Sequence, residues 1–373
     1  MSVFIAEGFG REKTFPALVV DMKKLRRNLE TVTRTVKDAG CSVMIVTKCF
    51  CASGGITGML LESSAVDYLA DSRIQNIKTY SGKGKETVLL RLPQRCEIEA
   101  VIRYADISFN SEVSTLEWLN AEAERQGRTH KVVLMIDLGD LREGLYYTED
   151  KKILSAVETI LNLKNLQFCG ISTNLTCYGA IIPSKDNLSI LSGWAERIKE
   201  KFDTGPLMVS GGNSSSYYLA EKGELPDGIN NLRLGEAFIL GNETAYGKRI
   251  KNTSSDAVTL EAQIIEVQTK ASVPEGESGV DAFGEKPVFQ DRGLIRRALL
   301  AIGRQDTDPA GLFHRDAGIS VLGASSDHLI LDISGAERRY RVGETVSFTL
   351  SYGAALRAFT GVAAGFLHTE TVE

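Results

Sequence analysis

Eight short β-rich runs alternate with amphipathic helical stretches between residues 42 and 234, and few folds absorb that pattern. The runs are Ser42–Thr47, Val66–Ala70, Val88–Arg91, Asp106–Phe109, Val132–Asp137, Gly170–Thr173, Leu207–Ser210 and Asn231–Leu234. Between them, stretches such as Ser114–Gln126 and Asn187–Lys201 repeat their apolar residues at helical spacing. A crossover helix returns each strand in parallel, so the alternation predicts an α/β fold, and eight units predict a closed (β/α)8 TIM barrel. Each run ends on or beside a polar or charged residue: Lys48, Asp71, Arg91, Asn110, Asp137, Asn174, Ser210 and Arg233. One such residue says nothing, because strands end in polar loops anyway. Eight in register fit a barrel whose reacting groups gather at the C-terminal ends of its strands.

The last two runs carry the most chemistry. Leu207–Met208–Val209 breaks into Gly211–Gly212 within VSGGNSSS (209–216), and NNLRLGEAFILG (230–241) follows. Glycines let backbone N–H groups approach an anion, and serine hydroxyls with a helix N-terminus complete a phosphate cradle. A phosphate site after the seventh and eighth strands is the usual barrel arrangement. The plainer alternative is a Ser/Gly surface turn.

Beyond about residue 248 the texture changes. Closely spaced β-rich runs (Ala257–Gln268, Arg297–Ile302, Ile319–Leu322, His328–Ile333, Arg339–Val342, Val346–Leu350) predict a C-terminal all-β domain with its own turns. The expected division is a barrel over 12–247 and a β domain over 248–373, with 1–11 packing on the latter. Ala17–Val20 is expected to pair with that β domain, because the long helix Met22–Ala39 separates it from the first barrel strand.

A chain of 373 residues buries a large core. Its formal net charge of −5 gives no reason to expect nucleic acid or an anionic membrane surface. The N-terminus lacks the basic-then-apolar pattern of a secretory signal, and no apolar run approaches membrane-spanning length. The six cysteines (Cys41, Cys49, Cys51, Cys96, Cys169, Cys177) are scattered through the barrel half, as expected of reduced cytoplasmic thiols. Cys49 and Cys51 flank Phe50, but no second ligand pair lies near; buried packing is preferred and no metal is expected.

Taken jointly, VTKCF around Lys48, DLGDLREG (137–144), GISTNLTCYG (170–179), SGGNSSS and NNLRLGEAFILG resemble the fold-type III pyridoxal phosphate enzymes, of which alanine racemase is the best known. The ornithine racemase branch is the stronger likeness, through DSRIQNI, LMIDLGDLREG, TNLTCYG, DAFG, AIGRQD and GASSDHLILD as well. These segments run through nearly the whole chain.

The resemblance implies roles for matching residues. Lys48 would hold the cofactor, pyridoxal 5'-phosphate, through its amine, as Schiff-base chemistry requires. Without the resemblance it reads equally as a solvated lysine ending a strand. Asn213, Ser214 and Ser215 would bind the phosphate, with backbone N–H groups of Gly235 and Glu236 opposite and Tyr352 of TLSYG also in reach. Arg233 would face the pyridine nitrogen; an always-charged guanidinium does not leave that nitrogen protonated as a carboxylate would, which weakens the electron sink and favours simple proton exchange. Arg142 would bind the substrate carboxylate, its alternative being a salt bridge to Asp140 or Glu143.

Two departures from alanine racemase matter. Asn174 stands where that enzyme has a histidine, as a cofactor contact that cannot titrate. The segment that should carry a partner-subunit tyrosine reads GESGVDAFG (276–284) and has none. Racemisation needs a second proton group opposite Lys48. Asp281 is the first candidate, as a base or as a receiver of a substrate ammonium, with His328 and Tyr352 behind it; an aspartate base needs a raised pKa. For a distal substrate cation the loops offer Asp140, Glu143, Glu236 and Asp281.

The expected activity is interconversion of L- and D-ornithine by a cytoplasmic homodimer with shared active sites. Rivals are a racemase of lysine, alanine or serine, a D-amino-acid aldolase or dehydratase using a metal near His314–Arg315–Asp316, and a non-enzymatic cofactor carrier. The carrier type lacks a C-terminal β domain.

Overall fold

The structure, a computed structural model, describes residues 14–363, 365 and 367–372, so the expected packing of 1–11 lies outside the described residues. In chain order the strands are β1 (Ala17–Asp21), β2 (Ser42–Val46), β3 (Tyr68–Asp71), β4 (Glu86–Leu89), β5 (Ile107–Asn110), β6 (His130–Asp137), β7 (Leu145–Tyr146), β8 (Leu166–Ser172), β9 (Met208–Ser210), β10 (Asn231–Leu234), β11 (Val258–Ala271), β12 (Leu294–Leu300), β13 (Leu312–Phe313), β14 (Ser320–Ala324), β15 (Leu329–Asp332), β16 (Thr345–Leu350) and β17 (His368–Val372). The helices are α1 (Met22–Asp38), α2 (Gly54–Glu62), α3 (Ile74–Tyr80), α4 (Ile98–Tyr104), α5 (Val113–Arg125), α6 (Asp150–Asn162), α7 (Lys185–Phe202), α8 (Tyr217–Lys222), α9 (Glu236–Ile239) and α10 (Tyr352–Ala363). They form two compact units, one spanning Leu25–Ser254 and the other joining the described residues up to Lys24 to those from Ser255 onward.

In the first unit, parallel strands pair in the order β5-β4-β3-β2-β10-β9-β8-β6, and β5 pairs with β6 to close the barrel. Met44, Ala70, Val88, Ile107, Phe109, Val133 and Met135, drawn from successive strands, form one interior cluster. Side chains alternate along a strand, so Ser108 and Asn110 lie on the opposite face of β5. There the Ser108 hydroxyl pairs with His130 Nε2 at 2.8 Å and accepts from Asn110 Nδ2 at 3.0 Å. Burial pushes the His130 imidazole down to about 4 and keeps it neutral. Residues Val132–Ile136 are all buried, because a parallel barrel strand is covered on both faces and needs no polar alternation. Each such side chain contributes about 1.5–3 kcal/mol of burial.

Helix α7 shows how the outer layer is set. Ser184 and Asn187 form a capping box: the Ser184 hydroxyl accepts Asn187 N–H, and Asn187 Oδ1 accepts Ser184 N–H. Leu188, Leu191, Trp194, Ala195 and Ile198 then make the buried stripe.

The second unit is an antiparallel sheet in the order β13-β16-β11-β12-β15-β14, with β1 pairing antiparallel to β11 and parallel to β17. Arg339–Val342 is not the strand its composition suggests. The stretch ends in a turn in which Arg341 N–H bonds Glu344 Oε2 (2.8 Å) and Gly343 takes φ 87°, while Arg296 holds the Tyr340 carbonyl (2.7 Å). Strands β13 and β17 and helix α10 escape the sequence reading.

Gly170 sits where the β6–β8 register shifts, at φ 153°, and a Cβ there would meet the Met208 carbonyl oxygen at 2.0 Å. Gly170→Ala is therefore expected to destabilise the barrel by about 3 kcal/mol or more. Gly193→Ala, inside α7 with open space around it, should stabilise by about 0.5–1 kcal/mol. Denaturant titrations of both variants followed by barrel tryptophan fluorescence check the pair; equal effects would refute the steric reading.

Candidate active site

Lys48 stands at the exit of β2, and its neighbours fix it there. Before it, buried Thr47 donates to Asp71 Oδ2 at 2.5 Å, and Asp71 also accepts from Arg73 N–H (2.9 Å) and Asn76 Nδ2 (3.1 Å). Burial raises the Asp71 carboxyl, and these bonds oppose the rise. After it, Cys49 and Phe50 are buried, Phe50 meeting Phe238 edge-on at 6.0 Å. Cys51 and Ala52 at φ 46° and 52° reverse the chain. Cys49 packs as expected; burial pushes its thiol up, further raised by Glu236 and opposed by Lys48.

Strand β10 lies beside β2 with Arg233 opposite Met44 and Leu234 opposite Ile45, so Lys48 and Gly235–Glu236 leave adjacent strand ends. Arg233 is 4% exposed and points at interior Phe109, whose ring centre is 5.5 Å away. Its Nη1 donates to Ser172 Oγ (2.6 Å) and Ser210 Oγ (2.7 Å), and its Nη2 to the Thr173 carbonyl (2.6 Å). Burial draws the guanidinium down to about 10, against the charges of Glu143 and Cys177, so it stays protonated at neutral pH.

The serine loop faces the same strand ends. Gly212 takes φ 111°, and a Cβ there would meet Ser216 Oγ at 2.6 Å. Ser214 Oγ accepts N–H from Gly235 (3.2 Å) and Ala237 (3.1 Å), which leaves its own proton for another acceptor. Asn213 Oδ1 accepts Ser215 N–H (2.8 Å), and its Nδ2 donates to Asn174 Oδ1 (3.1 Å) and the Leu175 carbonyl (3.0 Å). With Asn174 Oδ1 so engaged, its Nδ2 is the free donor. Among the described residues, Asn174 Nδ2, Thr173 Oγ1 and Ser215 Oγ are buried without a hydrogen-bond partner. Buried polar atoms are ordinarily satisfied, and a ligand rich in acceptors and donors fits these three. Tyr217 onward continues as α8.

Other strand-end residues have structural work, which corrects the expectation of eight converging groups. Asn110 is on the outer face of β5, Arg91 is tied to Glu97 (2.7 Å), and Asp137 Oδ1 caps Gly139 (2.9 Å) and Leu141 (3.2 Å) N–H. Asp140 is also removed from the substrate-facing acids: fully buried, it accepts N–H from Thr176 (2.9 Å), Tyr178 (3.0 Å) and Ile181 (3.2 Å), pinning the loop after β8. Arg142 pairs with Glu143 through Nε and Nη2. Burial draws Arg142 down, and the bond and charge of Glu143 outweigh it and hold the guanidinium above its ordinary value. Sequence reasoning missed Ser172 and Cys177. Cys177 Sγ accepts from Asn213 Nδ2 at 3.4 Å. The signal for Ser172 was a hydroxyl at the end of an apolar run, too common to single out.

Asp281, His328 and Tyr352 belong to the β unit. Asp281 Oδ1 accepts N–H from Glu285 and Phe283 (each 2.9 Å), which holds its carboxyl below the ordinary value, the reverse of what a base near neutrality needs. His328 is exposed and pairs with Asp327 at 3.0 Å; Tyr352 opens α10. His314 Nδ1 takes Asp316 N–H (2.9 Å), while the Asp316 carboxylate takes Gly318 and Glu337 N–H (each 2.8 Å), so this pair is committed to its own turn.

Burial lifts the Glu236 carboxyl from 4.5 to about 7, against a hydrogen bond from Asn242 and helped by Glu243. A carboxyl raised on folding weakens the folded state as pH climbs from its unfolded value through its folded one. Glu236→Gln removes that penalty. Its stability relative to the parent chain should rise by on the order of 2 kcal/mol between pH 5 and pH 8, read from urea midpoints; a pH-independent difference would show that Glu236 is not held neutral.

The family model "Alanine racemase, N-terminal domain" matches residues 20–242. Ornithine racemase of Acetoanaerobium sticklandii is 48% identical over 346 residues, covering 93% of this chain and 97% of that one. Lysine racemase of Thermotoga maritima is 35% identical, covering 93% and 96%. In structure the chain superposes on alanine racemase from Bartonella henselae, solved with covalently bound pyridoxal phosphate, with a TM-score of 0.72 at 16% identity, covering 96% of this chain and 100% of that one. A barrel closed at β5–β6, a lysine at the exit of its first strand, β2, and a glycine–serine cradle beside a buried arginine thus accompany similarity along nearly the whole chain, which belongs to the alanine racemase family.

Proposed function

We propose that this chain is a pyridoxal phosphate-dependent amino-acid racemase that interconverts L- and D-ornithine. The observation that carries the reading is Arg233, buried with neutral oxygens as its direct hydrogen-bond partners, on the strand next to the one that presents Lys48. The residues fit the cofactor: Lys48 offers an amine, the Ser214 hydroxyl, held by the Gly235 and Ala237 N–H groups, a proton for a phosphate oxygen, and Asn174, Thr173 and Ser215 unpaired buried atoms. When bound, pyridoxal phosphate supplies an electron-withdrawing ring that acidifies the Cα–H of an attached amino acid.

Arg233 would lie on the ring-nitrogen side of the bound cofactor, and a guanidinium that keeps its proton would confine the chemistry to proton exchange. Arg142 binds the α-carboxylate. Lys48 moves the proton on one face of Cα. The other face is served by the β unit of a second copy in a homodimer, through Asp281 or His328; the Phe283 and Glu285 N–H bonds that lower the Asp281 carboxyl work against it as the base. Ornithine as substrate is supported by the 48% identical relative of that name, with lysine as the second choice from the 35% identical one. Among the described residues no helix is long and apolar enough to cross a membrane, and the six cysteines are free thiols, which supports a place in the cytoplasm.

Polarimetry of L- and D-amino acids with added pyridoxal phosphate tests the reaction. Ornithine should lose its rotation with the wild type and not with Lys48→Ala; a wild type inactive on every amino acid defeats the proposal. Activity per milligram should fall on dilution below the dimer dissociation constant measured by sedimentation, and a fully active monomer refutes shared sites.

A further inference from the structure

A diamino acid brings two charges into the barrel mouth, an α-carboxylate and a distal ammonium, and each needs a partner where solvent is scarce. Of the acids that the barrel unit offers from its rim loops, Asp140 is spent on three backbone N–H groups, and Glu236 stands beside Cys49 and Asn242. Glu143 is placed differently. Its side chain is 18% exposed against 40% for Arg142, to which it is bonded through both carboxylate oxygens. Its charge is also the largest influence holding up the protonated form of buried Arg233, so it lies within electrostatic reach of the barrel interior.

Resting on the diamino-acid reading above, we infer that Glu143 is the specificity-determining carboxylate that receives the distal ammonium, and that the Arg142–Glu143 pair is what the substrate opens. Arg142 turns to the α-carboxylate as Glu143 turns to the ammonium. One ion pair becomes two, and no charge is left alone. Adjacent residues have Cα atoms about 3.8 Å apart, so both long side chains start from one point on the rim and reach the two ends of the same substrate by rotation about their own bonds. The backbone beneath them is fixed: Asp137 caps Gly139 and Leu141, and Gly144 lies against Asp137 N so closely that a Cβ would meet it at 2.6 Å. Only the side chains need move.

Selectivity follows from the same exchange. An amino acid with an apolar side chain would occupy Arg142 with its carboxylate and leave Glu143 unpaired in a mostly buried position. Stranding a buried charge costs more than losing a surface contact.

Steady-state kinetics on L-ornithine, L-lysine and L-norvaline, whose uncharged side chain has nearly ornithine's length, test the assignment in enzymes matched for cofactor content by absorbance. Glu143→Gln should raise KM for ornithine roughly tenfold to hundredfold and lower the ornithine-to-norvaline ratio of kcat/KM by a similar factor. Glu143→Asp, which withdraws the carboxylate by one methylene, should move preference from ornithine towards lysine. Equal losses on ornithine and norvaline in Glu143→Gln would mean that Glu143 only positions Arg142, and would overturn the inference. So would an unchanged ornithine-to-norvaline ratio, or loss of the preference in Asp281→Asn instead. A wild type that ignores ornithine overturns the proposed substrate and this inference together, whereas an ornithine-active wild type with an unselective Glu143→Gln overturns this inference alone.

Discussion

The buried guanidinium of Arg233 is the interaction on which the barrel mouth depends. A charge in that position forfeits several kcal/mol of hydration, and the chain recovers it with three short hydrogen bonds to Ser172, Ser210 and the Thr173 carbonyl. Those acceptors lie at the ends of β8 and β9, so one side chain of β10 ties three strands together where their loops diverge. The chain of bonds continues: the Ser210 hydroxyl donates to Asn231 Oδ1 at 2.6 Å, and Asn231 Nδ2 donates to Ser42 Oγ of β2 at 3.0 Å. A protonated arginine held by neutral partners keeps its charge for whatever enters the mouth.

A second device recurs around the rim. Single carboxylates collect several backbone N–H groups of one loop: Asp137 for 139–141, Asp140 for 176–181, and Glu243 for Ala245, Tyr246 and Lys248. Charge-assisted bonds of this kind are stronger than neutral ones, and they satisfy loop donors that no sheet or helix reaches. Their consequence is a preorganised rim in which Arg142, Glu143 and Asn174 project from fixed backbone. Preorganisation of dipoles and charges is where most of a catalytic site's stabilisation resides.

The fold was largely legible because its signals are local. Strand-sized apolar runs separated by helical periodicity imply parallel pairing whatever the rest of the chain does, and the eight runs became the eight barrel strands. The site was legible in part. Lys48, Ser214 and Arg233 sit at the ends of adjacent strands and were named from motifs, yet Asn110 and Asp137 looked like equal members of the same ring and are not. A strand-end polar residue faces the interior or the helices according to the parity of its register, and closure of the barrel sets that parity. Asp281 illustrates the same limit: its residue type fits a base, but two N–H groups of its own turn lower its carboxyl.

The sequence by itself determined the barrel, the β unit that follows it, the lysine at the exit of β2 and the glycine–serine cradle, since each follows from periodicity or from backbone freedom at named residues. Only the tertiary structure decided which polar groups are spent and which are left for a ligand. Ser172 and Ser210 are anchors because Arg233 reaches them across two strands, Asp140 is a loop clasp because residues 176–181 fold back over it, and Asn174 keeps a free donor because Asn213 takes its oxygen. Hydrogen bonding between groups distant in sequence is settled by three-dimensional proximity, and no local pattern of residues encodes it.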